Sequence, residues 1–253
     1  MPMFLSHKKT LPGKGPHPTL LHGFGGFSSS MTPSFSAANL VWMEMGGIYA
    51  VPNLRGGGEY GEAWHQAGML KNKQNVFDDF IAAAEYLVRS GLTTPRKLAI
   101  SGASNGGLLV GAVLNQRPDL FGAAVPAMGF MDMLRFHKFP LGWALIAEYG
   151  SPDDPSMFPV LYAYSPLQNI RKGTSYPPTL ITAAAHDDRI PPGPSLKYAA
   201  ALQAAQASTA PVLIHIRTTS GRGEAGSTAA LIDEAVDRLA FLAKALDMPT
   251  PKW

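Results

Sequence analysis

Cysteine is absent from the 253 residues. That removes disulfides, thiol nucleophiles and cysteine-based metal sites, and it leaves the redox compartment open. Charge is sparse as well: Lys, Arg, Asp and Glu make up 15% of the chain, the net charge is +3, and the 21 basic residues form no run. A nucleic-acid-binding face is not expected from such scattered charge. No stretch of about 18 apolar residues occurs, so no membrane-spanning helix is expected. Residues 1–9 also lack the apolar core of an export signal. The expectation is a soluble, cytoplasmic protein. His, Asp and Glu nowhere cluster at metal-ligand spacing, so no metal and no organic cofactor is expected. Apolar residues reach 46%, enough for a well-buried core, and residues 1–253 read as one α/β domain of ordinary size.

What is present centres on Lys97-Leu98-Ala99-Ile100-Ser101-Gly102-Ala103-Ser104-Asn105-Gly106-Gly107-Leu108-Leu109-Val110. An apolar strand runs into Gly-x-Ser-x-Gly and then into an apolar helix that stops at Arg117-Pro118, which is the setting of a nucleophile elbow. Ser104 is the candidate nucleophile. Gly102 and Gly106 suit a turn in which backbones approach too closely for a Cβ, and the serine between them is expected to be strained. The Asn105 N–H, at the head of the helix, is placed to donate to an oxyanion.

Taken in order, Thr19-Leu20-Leu21-His22 reads as a strand that enters the Gly-rich loop Gly23-Phe24-Gly25-Gly26-Phe27. Residues 28–46 read as polar and then apolar, with a helix ending near Gly46-Gly47, and 48–53 as a second strand. Phe77, Phe80, Ile81, Ala84 and Val88 recur at helical spacing. Residues 121–126, 178–184 and 212–216 are further strands, with helices over 196–205 and 227–246. In the last helix Leu231, Ala235, Leu239 and Leu242 are expected on one side. Residues 128–176 form a long aromatic, Pro-rich stretch expected to act as a lid or pocket wall. Alternating strands and helices predict a mostly parallel central sheet with helices on both faces. Asp187, just past a late strand, occupies the place of a triad acid in an α/β-hydrolase fold.

The chain resembles the catalytic domain of the prolyl oligopeptidase family of serine peptidases over nearly its whole length. The resemblance rests on Pro2-Met3-Phe4, on residues 23–27, on Asn53-Leu54-Arg55-Gly56-Gly57-Gly58-Glu59-Tyr60-Gly61, and on Ser104-Asn105-Gly106-Gly107-Leu108-Leu109. Residues 115–121, Met131-Asp132-Met133-Leu134, Tyr164-Ser165-Pro166 and His186-Asp187-Asp188-Arg189 continue it. The β-propeller that accompanies this domain in the family is not in the sequence. The resemblance implies Ser104 as nucleophile, Asp187 as triad acid and Asn105 as backbone oxyanion donor. It further implies Arg189 as an arginine that binds a substrate carbonyl, and Phe27, Tyr149 and Ile190 as pocket walls.

Three positions depart from the family pattern. Arg222 stands where the family carries its catalytic histidine, and no histidine follows His215. Arginine has no lone pair and stays protonated, so it cannot take the Ser104 proton. Phe24 stands where the family has a tyrosine that donates to the oxyanion, a loss of one donor worth about 10²–10³ in rate. Leu145 aligns with a tryptophan that stacks on substrate proline, and Trp143 lies two positions earlier. His22 and His186 are expected near Ser104 in orienting or packing roles, His215 in the core, and Glu224 is the remaining alternative base. Two readings stay open. One is esterase-like hydrolysis of small carboxylic esters or short peptides through a Ser104 acyl-enzyme, with weak or no peptidase activity. The other is an inactive homologue that serves as a binding or scaffold module. Apolar surface left bare by the missing preceding segment makes a homo-oligomer an expectation too.

Overall fold

The computed structural model of the protein describes residues 1–11, 15–187, 189–218 and 228–248. Within them the strands are β1 (Met3–Ser6), β2 (Thr19–His22), β3 (Ile48–Pro52), β4 (Leu98–Ala103), β5 (Ala123–Ala127), β6 (Thr179–Ala184) and β7 (Val212–Arg217). They form one sheet in the order β1-β3-β2-β4-β5-β6-β7. β1 is antiparallel to β3, and all the other pairs are parallel. The helices are α1 (Ala37–Glu44), α2 (Glu62–Gln66), α3 (Gln74–Arg89), α4 (Asn105–Gln116), α5 (Ile146–Tyr149), α6 (Phe158–Tyr164), α7 (Gly193–Ala205) and α8 (Thr228–Ala245). This is an α/β-hydrolase fold.

Alternation along the strands divides the core into two layers. Leu21, Ile100, Ala124 and Ile181 face a large cluster shared with α3, α4 and α7. Their neighbours Leu20, Ala99, Val125 and Leu180 face a smaller cluster built on Trp42 of α1 and on Leu239 and Leu242 of α8. Because both faces are covered, β4 reads as a continuous apolar run, as interior parallel strands do. In α3 the spacing seen in the sequence is realised by buried Phe77, Phe80 and Ala84, joined by Val76, Ala83 and Leu87.

Three local expectations differ from what forms. The helix expected within 28–46 begins only at Ala37, capped by Ser36, whose Oγ accepts from Asn39 N at 3.4 Å. Upstream, Phe27 and Ser28 have φ of 57° and 51°, a left-handed backbone that no helix continues through. In α8, Leu239 and Leu242 are buried but Leu231 is 53% exposed, so only the second half of the helix lies on the sheet. His215, expected in the core, is on the outer strand β7 with a side chain 44% exposed, and its Nδ1 is 3.4 Å from Asp237 Oδ2 of α8. Residues 128–176 form short helical pieces that bury Phe130, Met131, Phe136, Tyr149, Leu161 and Tyr164 in the large cluster.

The chain reverses its direction of travel across the sheet between β2 and β4. β2 leads outward to β3, whereas β4 leads to β5, β6 and β7 on the other side. The crevice beyond the carboxyl ends of such neighbouring strands is where ligands bind in open α/β sheets. The loops that leave β2 and β4 are Gly23–Phe27 and the turn at Ser104.

Candidate active site

β4 ends in Ala103, and Ser104 turns sharply into α4 with φ 62° and ψ −117°. A non-glycine residue held there costs about 1–3 kcal/mol and persists only where its surroundings enforce it. Here Ser104 N donates to Ala127 O at 2.9 Å, and Leu108 N donates to Ser104 O at 3.1 Å. The flanking glycines are required by close approach. A Cβ at Gly102 would lie 2.4 Å from Gly106 O, and one at Gly106 would lie 2.4 Å from Gly23 O. The elbow is therefore pressed directly against the start of the Gly-rich loop, and Gly23 N closes the contact by donating to Ser101 O at 3.1 Å. As the first residue of α4, Asn105 has an N–H with no acceptor inside its helix, so it is available above the turn.

The Asn105 side chain holds the loop. Its Nδ2 donates to Phe24 O at 2.5 Å, and its Oδ1 accepts from Tyr149 Oη at 2.8 Å. Tyr149, expected on a pocket wall, is wholly buried, with Phe27 edge-on to its ring at 5.6 Å between centroids. Phe27 is 37% exposed and Phe24 half-buried, their rings 6.4 Å apart. Ile190 is likewise buried in the large cluster, Leu145 is half-buried against that cluster, and Trp143 is 68% exposed.

Past β6, Asp187 is 6% exposed. Its Oδ1 accepts the N–H groups of Arg189 and Ile190, both at 2.9 Å, which fixes the turn that carries it. The Arg189 and His186 side chains are exposed. Arg222 and Glu224 lie outside the described residues. His22 meets the strand that leads into the elbow: its Nδ1 is 3.0 Å from Ser101 Oγ, and its ring stacks on Tyr49 at 6.1 Å. Burial, helped by the Arg238 charge, lowers its pKa to about 4, so it is neutral at pH 7. It lines a cavity of about 380 Å³ between the sheet and α8, together with His215, Arg217, Glu234, Asp237 and Arg238. Ser104 is not among the lining residues. Among the described residues no group of three or more His, Asp and Glu is gathered for a metal, and no helix is long and apolar enough to cross a membrane.

These features place a strained serine, a helix N-terminus and a Gly-rich loop at one switch point. The family described as prolyl oligopeptidase family is matched over residues 33–249. The chain belongs to the prolyl oligopeptidase family. It is 50% identical over 242 residues to prolyl endopeptidase of Elizabethkingia miricola, covering 95% of this chain and 34% of that protein. Against prolyl endopeptidase of Dictyostelium discoideum it is 45% identical over 253 residues, or 98% and 33% of the two chains. Among solved structures, one from an analysis of two prolyl endopeptidases superposes with a TM-score of 0.95 at 49% identity, over 98% of this chain and 36% of that one. Prolyl oligopeptidase B from Galerina marginata gives a TM-score of 0.95 at 42% identity, over 98% and 35%. The chain thus spans about a third of the length of these prolyl oligopeptidase relatives, and the family is one of serine hydrolases.

Sequence reasoning missed two buried charges beneath this family's elbow. Lys73 and Glu148 are 1% and 4% exposed. Nothing near them signals burial, because Lys73 sits in a polar Lys-Asn-Lys-Gln run and Glu148 in a short helix.

Proposed function

We propose that this chain is a serine hydrolase of peptide-derived and related carboxyl groups, turning over activated esters through a Ser104 acyl-enzyme and cleaving peptide bonds weakly. The observation that carries the reading is the left-handed Ser104 between two glycines that admit no Cβ. A serine kept in that conformation is the usual mark of a nucleophile presented above a sheet.

In this reading Ser104 Oγ attacks the ester carbonyl carbon and gives its proton to solvent water or hydroxide, the Asn105 N–H and the α4 dipole receive the developing oxyanion, and water then hydrolyses the acyl-enzyme to release the acid. Asp187 takes the place of the triad acid, while Phe27, Leu145, Trp143 and Arg189 are the candidates for contact with substrate. The order of substrates follows from the leaving group. An activated alkoxide or phenolate departs without a proton, whereas an amide nitrogen must be protonated as it leaves. Arg222 supplies no such acid or base, and Phe24 supplies no hydroxyl. Peptides enter as a substrate class because relatives carry the name prolyl endopeptidase, and Galerina marginata prolyl oligopeptidase B is described with a 35mer hydrolysis and macrocyclization substrate. Arg222 also favours a second reading, an inactive homologue that binds peptides without cleaving them.

A serine-directed fluorophosphonate probe separates the two. Labelling of Ser104, with release of p-nitrophenol from short acyl esters that Ser104→Ala lacks, is the expected result. An unlabelled Ser104 in folded protein overturns the hydrolase reading and leaves the binding module.

A further inference from the structure

The loop that faces the elbow is fastened from below by a buried ion pair. Gly25, Phe27 and Ser28 all have positive φ, at 64°, 57° and 51°, so the loop is held in a conformation that its side-chain-bearing residues rarely adopt. Its peptide groups are tied one after another. Phe24 O accepts from Asn105 Nδ2 at 2.5 Å, Gly25 O accepts from Lys73 Nζ at 3.0 Å, and Phe27 N donates to Glu148 Oε1 at 3.0 Å. Lys73 Nζ and Glu148 Oε1 are 3.5 Å apart, and the Lys73 ammonium lies 5.3 Å from the centroid of the Tyr149 ring. The second Glu148 oxygen pairs with His65 Nε2 of α2 at 2.8 Å. At Gly26 there is no spare room: a Cβ would lie 2.6 Å from Asn105 Nδ2 and 3.0 Å from Glu148 Oε1.

Two charges in an interior of this kind are costly unless each is paired and hydrogen-bonded. A pair used only for packing would be replaced at little loss by apolar side chains. Here each charge is spent on one main-chain group of the loop that borders the oxyanion site. Glu148 and Tyr149 are adjacent in α5, so one short helix holds the loop through Phe27 N and the elbow through Asn105.

We infer that Lys73 and Glu148 are positioning residues that set the backbone of the Gly-rich loop against Ser104, so that oxyanion binding depends on their ionised contact. The inference rests on the hydrolase reading above for its catalytic consequence, but not for its structural one. The groups facing Lys73 Nζ are Glu148 and Tyr149 of α5 and the Gly25 carbonyl, with His65 reached through Glu148. The buried Tyr164 hydroxyl of α6 stays neutral, its pKa raised by burial and by the Glu148 charge. Burial lowers the Lys73 pKa to about 8, against the opposing pull of Glu148. The contact therefore loses its charge as pH rises through that value.

The test compares wild type with Lys73→Met and with the near-isosteric Glu148→Gln. Hydrogen exchange at the amides of residues 24–27 is read by mass spectrometry, and p-nitrophenyl butyrate turnover is followed against pH. Expected are exchange at least about tenfold faster in both variants with β4 and α4 unchanged, and kcat lowered at least about tenfold with little change in KM. The alkaline fall in kcat near pH 8 is expected in wild type and absent from Lys73→Met. Wild-type exchange alone, corrected for its intrinsic pH dependence, should also accelerate at these amides above that pH, so the inference stands or falls even if a variant does not fold. Unchanged loop exchange, or a kcat loss no greater than the loss of folded protein, overturns it. If wild type shows no Ser104-dependent turnover, the hydrolase reading fails by itself, and the exchange data still decide the positioning role.

Discussion

At the β2–β4 part of the sheet's carboxyl edge, glycines touch carbonyls, and Phe24, Gly25 and Phe27 of the loop are each held by a named partner. At the β6–β7 end, a cavity of about 380 Å³ separates the strands from α8, and its charged residues meet in partly exposed pairs. Arg217 Nη1 lies 2.9 Å from Glu234 Oε2, and His215 Nδ1 lies 3.4 Å from Asp237 Oδ2. The Ser104 turn and the Gly-rich loop belong to the dense part. The two parts of the carboxyl edge thus rest on different physics, steric exclusion in one and solvent-screened charge in the other.

That contrast can be broken by experiment, starting with the largest effect. Ser104→Ala is expected to abolish the acyl-enzyme and fluorophosphonate labelling outright, leaving only the acceleration that oxyanion donors and binding supply without the serine. Residual turnover equal to wild type in that variant would place the chemistry elsewhere. Gly106→Ala drives a Cβ to 2.4 Å from the Gly23 carbonyl, and a loss of about 3 kcal/mol is expected in denaturant unfolding. A loss below about 1 kcal/mol would mean that the elbow and loop separate easily.

Smaller effects sharpen the open end. Arg222→His is expected to raise ester turnover by at least about 10²-fold by supplying a general base. No gain would locate the limitation in Phe24 or in the cavity instead. For His22 the folded pKa of about 4 lies below the ordinary histidine value of 6.5, so the unfolded chain takes up the proton first as pH falls. Stability should therefore decline as pH drops from 6.5 toward 4, and His22→Gln should flatten that part of the unfolding curve. Smallest of all, His215→Ala at its exposed pair is expected to cost less than about 1 kcal/mol.

Much of the fold was legible because its signals are local. The apolar run of β4, the 3.6-residue spacing of α3 and the glycines around Ser104 each constrain backbone within a few residues. The misread parts depended on distant neighbours. Leu231 and Leu239 look alike on a helical wheel, yet only Leu239 meets the sheet, because α8 diverges from it over the cavity. His215 sits in an apolar strand, but β7 is the last strand in the sheet and its ring turns toward α8.

The sequence by itself determined the nucleophile turn and the parallel α/β order. Backbone stereochemistry at Gly-x-Ser-x-Gly and hydrophobic period are written in neighbouring residues. Only the tertiary structure decided that Lys73 and Glu148 are buried partners rather than surface charges. A charge in a sequence carries no record of whether water or another residue will neutralise it, and these two are 75 positions apart in the chain.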